Sequence, residues 1–125
     1  MKQRHLRAGD QLADDEVIVV RGGALDRDRL REDATRYFSI YGTYGVSVFA
    51  ARRVTVDELA QEPPLVRFGV LTLIRVGDVR VRGFRLEPTG RNDRHFTLAW
   101  DILEAGIERL VSCEHTTWRN PYHED

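Results

Sequence analysis

The chain has 125 residues, 42% hydrophobic and 31% charged, with a formal net charge of −1. That length reads as one domain over residues 1–125, able to bury a core without disulfides or metal. The near-neutral balance argues against strong nonspecific nucleic-acid binding, which wants a basic excess, and no apolar run reaches membrane-spanning length. Cys113 is the single cysteine, so no internal disulfide forms, and a reducing compartment fits. Residues 1–16 are polar, without a signal-peptide core, and read as a lead-in. The expectation is a soluble cytoplasmic protein with no membrane partner. Eighteen of the 19 basic residues are arginine, a bias that fits a GC-rich genome or a need for planar donors toward phosphate and carboxylate.

The first predicted element is Val17-Ile18-Val19-Val20. This short β-branched run ends at Arg21-Gly22-Gly23 and reads as a central strand buried on both faces. A helix follows. Asp26 is its N-cap, and Leu25 and Leu30 hold the positions of a hydrophobic staple. Leu30, Ala34, Tyr37, Phe38 and Tyr41 form its apolar stripe, and Gly42 ends it. After the Gly42–Gly45 loop, residues 46–50 predict a second strand. Thr55 and Glu58 have capping-box spacing, opening a helix that Pro63-Pro64 must cut short.

Residues 66–100 predict three antiparallel strands. Gly77-Asp78 has the form of a two-residue hairpin loop, with Ile74-Arg75-Val76 and Val79-Arg80-Val81 mirrored across it. That pairing gives one apolar face and one carrying Arg75, Arg80 and Arg82. The facing reverses between Arg82 and Phe84, which predicts a β-bulge at Gly83. A polar connection over 87–94 leads to the last strand, His95 to Trp100. Asp101 and Glu104 again have capping-box spacing, and Leu103, Ile107, Leu110 and Val111 form the buried side of a final helix. In the tail, residues 113–125, Trp118 and Tyr122 are expected to pack back on the domain. The order β-α-β-α-β-β-β-α makes an α+β domain, with helices on a mixed, largely antiparallel sheet of about five strands.

Four groups carry candidate chemistry. Arg21-Gly22-Gly23, at a strand end before a helix, offers backbone amides to an anion, but it has neither the lysine nor the spacing of a phosphate-binding loop. Tyr41, Tyr44 and Ser47 flank a glycine-bounded loop and could line a pocket. His95 follows Arg91 and Arg94, and this combination suits proton transfer at a phosphodiester, with the guanidiniums holding the developing charge. In the tail, His115, Arg119, Tyr122 and His123 would complete an acid–base pair with His95 if it folds over the sheet. Cys113, His115 and His123 match no common zinc spacing, so no metal or other cofactor is expected.

The strand ending in Arg21-Gly22-Gly23, the 45–50 segment Gly-Val-Ser-Val-Phe-Ala, the 83–89 segment Gly-Phe-Arg-Leu-Glu-Pro-Thr, the 95–97 segment His-Phe-Thr and the Asn120-Pro121 tail together resemble small uncharacterised proteins of actinobacteria. Some of those are thought to be the toxin members of toxin–antitoxin pairs. The resemblance spans most of the chain and implies a small cytosolic effector with a neutralising antitoxin or other protein partner. It names no reaction. Set beside metal-independent ribonuclease toxins, His95, Arg94, Arg119 and Tyr122 are similar in type to the catalytic groups, with Arg91 among the phosphate binders and RNA as substrate. Set beside ADP-ribosyltransferases of the Arg-Ser-Glu type, Arg21 and Ser47 look like the first two residues, with NAD as co-substrate, but the later strand lacks the glutamate. A third expectation is a non-catalytic interaction domain that presents its arginines to an acidic partner. A homodimer through a sheet edge stays open.

Overall fold

The computed structural model describes residues 1–9, 11–22 and 25–123, and of Arg21 and Gly22 the backbone alone. Among these residues, the elements run β1 (Val17–Gly22), α1 (Arg27–Tyr41), β2 (Tyr44–Ala50), α2 (Val56–Leu59), α3 (Pro63–Val66), β3 (Val70–Arg75), α4 (Val76–Val81), β4 (Arg85–Glu87), β5 (His95–Trp100), α5 (Leu103–Val111) and β6 (Thr116–Arg119). The strands form one sheet in the order β4-β5-β2-β1-β3-β6, and every neighbouring pair is antiparallel. The α+β class is as expected. The sheet has six strands rather than about five, because the tail supplies β6.

Strand alternation divides the core. Ile18, Val20, Val46, Val48, Phe96, Leu98 and Trp100 join Leu30 and Ala34 of α1 and Ile107 and Leu110 of α5 in the larger cluster. Val19 and Leu71 join Leu59 of α2 and Leu65 of α3 in a smaller one, against which Phe49, Trp118 and Tyr122 pack. The tail residues Trp118 and Tyr122 thus return to the domain as expected. No helix among the described residues is long and apolar enough to cross a membrane.

Local chemistry sets the ends of α1 as the sequence implies. The Asp26 carboxylate accepts from the amides of Asp28 and Arg29, and Gly42 takes the left-handed conformation at φ 80°. Thr55 likewise accepts from the Glu58 amide at 3.1 Å. α2 is short as expected but already ends at Leu59, and Pro63 and Pro64 instead open α3, where a missing amide proton costs nothing.

The predicted hairpin at Gly77-Asp78 does not form. Residues 76–81 are helix α4, so Arg75, Arg80 and Arg82 do not share a strand face. Val76 and Val79 are buried at i, i+3 spacing, which also satisfies a helix, while Val81 is 86% exposed. The N-terminal segment decides between the two: the amides of Val76 and Gly77 donate to the carbonyls of Glu16 and Asp14, each at 2.9 Å. A Cβ at Gly77 would meet Asp14 at 3.2 Å. Gly83 marks no bulge. It has φ +86°, with its amide donating to the Arg80 carbonyl and the Phe84 amide to that of Val79, the two bonds of a Schellman helix end.

Asp101 does not cap α5. The N-cap position is Ile102, without a side-chain bond. Asp101 instead accepts from Arg85 at 3.0 Å, and Glu104 pairs with Arg31 of α1 at 2.6 Å. A guanidinium offers each carboxylate a charged partner as well as N–H donors, and both carboxylates are turned to one. The lead-in is also more than a lead-in: Leu12 is buried in the core, and Leu6 bridges to Thr89 beside the short edge strand β4.

Candidate functional site

His95 opens β5, opposite Phe49 of β2, and its ring meets the Phe49 ring edge-on at 5.4 Å. Its Nδ1 lies 3.0 Å from the Thr89 carbonyl oxygen and 3.1 Å from the Thr89 hydroxyl. Thr89 continues to the Thr97 hydroxyl at 2.7 Å, which Tyr37 of α1 reaches at 3.3 Å. Arg4 pairs with Glu87 at the near edge. Arg7 ties the connection down: its guanidinium donates to the carbonyls of Thr89 at 2.7 Å and His95 at 2.9 Å, and it stacks 5.2 Å from the Phe96 ring centre. Burial lowers the Arg7 pKa from its ordinary value, against the pull of Asp93.

The other predicted residues are dispersed. Arg94 pairs with Glu62 at 2.5 Å, and Arg91 stands exposed in the connection. Arg119 lies on β6 and Tyr122 just beyond it, with β2, β1 and β3 between β6 and the strand carrying His95. At about 4.8 Å per strand, that separation is about 19 Å. The Tyr122 hydroxyl donates to Asp57 at 2.7 Å, and this bond raises the phenol pKa above its ordinary value. His115 bonds the Cys113 carbonyl at 2.8 Å and His123 that of Val66 at 3.2 Å. His95 therefore has no second titrating partner from the tail. Tyr44 stacks on Phe38 at 4.5 Å. The Arg21 side chain and Gly23 lie outside the described residues, and the Arg21 backbone pairs with Thr72. No group of three or more His, Cys, Asp or Glu among the described residues is placed to hold a metal ion.

What the fold does assemble is a groove of about 450 Å³ lined by residues of α1, β1, β2 and the α3 segment, at the point where β1 and β2 part beyond Val19 and Phe49. Val19, Ser47 and Phe49 lie beneath it, Tyr37 and Ile40 on the α1 side, and Leu65 and Phe68 on the α3 side. Ile40 and Phe68 are each 37% exposed. Ser47, opposite Thr97 in the register, is exposed. Three charges stand at the groove: Asp33 and Arg36, whose charged atoms are 4.0 Å apart, and Arg67, which is exposed. Clefts of this size with mostly apolar linings and a few polar groups are typical of ligand sites.

Of the groove residues, the sequence singled out Ser47, and it named Tyr37 only as part of the helix stripe. It missed Ile40, Arg67 and Phe68. The available signal was slight: Ile40 is an apolar residue outside the stripe of α1, and Phe68 is a bulky aromatic in the short Pro-rich link before β3.

No family model matches the chain, and neither the curated proteins nor the solved structures compared with it give a match.

Proposed function

We propose that this chain is a non-catalytic binding domain and that the groove between α1 and α3 is its receptor site. The groove carries the reading: it leaves Ile40 and Phe68 partly open to solvent over a floor of Val19 and Phe49. Burying such surface on an apolar ligand is favourable at roughly 25 cal/mol per Å². The ribonuclease reading needs an acid and a base at one phosphodiester. The dispersal of His95, Arg119 and Tyr122 weighs against it.

The test is binding of a neutral solvatochromic dye, Nile red, to the purified protein. The expected result is a blue-shifted, saturable signal that an Ile40→Asp/Phe68→Asp variant loses while its far-UV circular dichroism stays unchanged. No saturable signal in the wild type, or the same signal in the variant, overturns the reading. Growth arrest with shortened RNA on expression would return the weight to a toxin-like nuclease acting through His95 and Arg91.

A second reading shares the groove. Ser47 is exposed on its floor, which favours NAD-dependent transfer through Ser47 and Arg21 over chemistry elsewhere in the chain. Release of nicotinamide from NAD by the wild type, abolished in Ser47→Ala, would establish it.

A further inference from the structure

We infer that the groove binds a small carboxylate with an apolar tail, the tail lying against Phe49 and Phe68 and the carboxylate meeting Arg36 and Arg67. This rests on the binding-domain reading and names the ligand class.

Two observations point to that class. The first is size and lining: about 450 Å³ bounded mainly by Val19, Ile40, Phe49, Leu65 and Phe68 matches a small molecule with a hydrocarbon part. The second is charge. Two guanidiniums stand at the groove against the one carboxylate of Asp33, which is 4.0 Å from Arg36. Arg67 has no ion-pair partner among the described residues and is exposed. The site is therefore net positive, and a planar guanidinium matches a carboxylate with two parallel bonds. The exposed Ser47 hydroxyl adds a neutral polar group at the same groove.

Asp33 opposes the anion, and its effect is testable. With Asp33 neutralised, Arg36 is left to the ligand alone, so Asp33→Asn should tighten carboxylate binding without changing the affinity for an uncharged tail.

The experiment is displacement of Nile red by three ten-carbon probes: decanoate, decanol and decyltrimethylammonium. Decanoate is expected to displace at a concentration about tenfold lower than decanol, the factor expected of one charge-assisted contact, with the cation weakest. Arg67→Gln should shrink the decanoate advantage toward parity and leave decanol unchanged. Equal displacement by all three, or an advantage that persists in Arg67→Gln, overturns the carboxylate assignment while the binding-domain reading stands. Failure of every probe to displace bound Nile red overturns the small-molecule class and points to a protein segment as occupant. Absence of Nile red binding overturns both.

Discussion

The imidazole Nδ1 of His95 and the carbonyl oxygen of Thr89 are 3.0 Å apart, closing the connection between β4 and β5 onto the first residue of β5. A carbonyl can only accept, so this bond needs the proton on Nδ1 and makes the ring a structural donor. Replacing His95 by Asn keeps an N–H at a similar reach, whereas Ala leaves the carbonyl to water. His95→Ala should lose about 1–2 kcal/mol of stability in urea unfolding, with His95→Asn losing less than half of that. Neither variant should differ from wild type in the growth of cells that express it. Toxicity in the wild type that vanishes in His95→Ala would show that the histidine does chemistry.

Asn120 makes a separate prediction. It is buried, and its amide donates to the carbonyls of Leu65 at 3.1 Å and Ala60 at 3.4 Å, while its own oxygen accepts from the Tyr122 amide at 2.9 Å. One side chain thus joins the tail to α2 and α3. Asn120→Leu has similar bulk but strands those backbone groups, at about 1–3 kcal/mol. Since Leu65 also lines the groove, the variant should bind Nile red more weakly as well as unfold earlier. Unchanged affinity would mean that the α3 wall stands without the tail.

Two glycines carry opposite steric problems. Gly83 sits at φ +86° with open space around it apart from Arg109 at 3.4 Å, so Gly83→Ala should cost about 1–2 kcal/mol from backbone strain alone. Gly106 lies within α5, where alanine is the better helix former by about 1 kcal/mol. Yet a Cβ there would run into Cδ1 and Nε1 of Trp100. Displacing a buried indole in a packed core costs about 1–3 kcal/mol or more, so the clash wins. Gly106→Ala should lower the melting temperature and change tryptophan emission. Gly83→Ala should lower stability without changing emission.

The contact between α1 and α5 should be acid-sensitive. Hydrogen bonds from Arg31 and Arg27 hold Glu104 and Glu108 below the ordinary carboxylate range. A carboxylate with a depressed folded pKa contributes stability that is complete above its unfolded value, about 4.3, and is lost as pH falls through the lower folded value. Stability should therefore decline on acidification below about pH 4.3. Glu104→Gln/Glu108→Gln should decline less steeply over the same range, and the difference should shrink in high salt because the pairs are exposed. Parallel pH profiles for the two proteins would show that these pairs contribute nothing to folding.

Several features of this protein were written in short stretches of its sequence. Asp26 and Gly42 bound α1, Thr55 and Glu58 start α2, residues 17–20 form a central strand and β5 has its predicted limits, because each depends on residues a few positions apart. The α+β class followed from the same local patterns. Tertiary structure decided the rest. Val76 and Val79 satisfy both the cross-strand pairing of a two-residue hairpin and the i, i+3 spacing of a helix, and backbone bonds to the carbonyls of Glu16 and Asp14, some sixty residues away, select the helix. Asp101 and Glu104 have a cap's spacing but answer to Arg85 and Arg31. The groove belongs to no local pattern, because residues of α1, β1, β2 and the α3 segment come together only once the sheet is assembled. Local chemistry chooses where elements start and stop. Where the same residues suit two elements, the partner that satisfies the buried backbone and charge is distant in sequence, and the folded chain makes the choice.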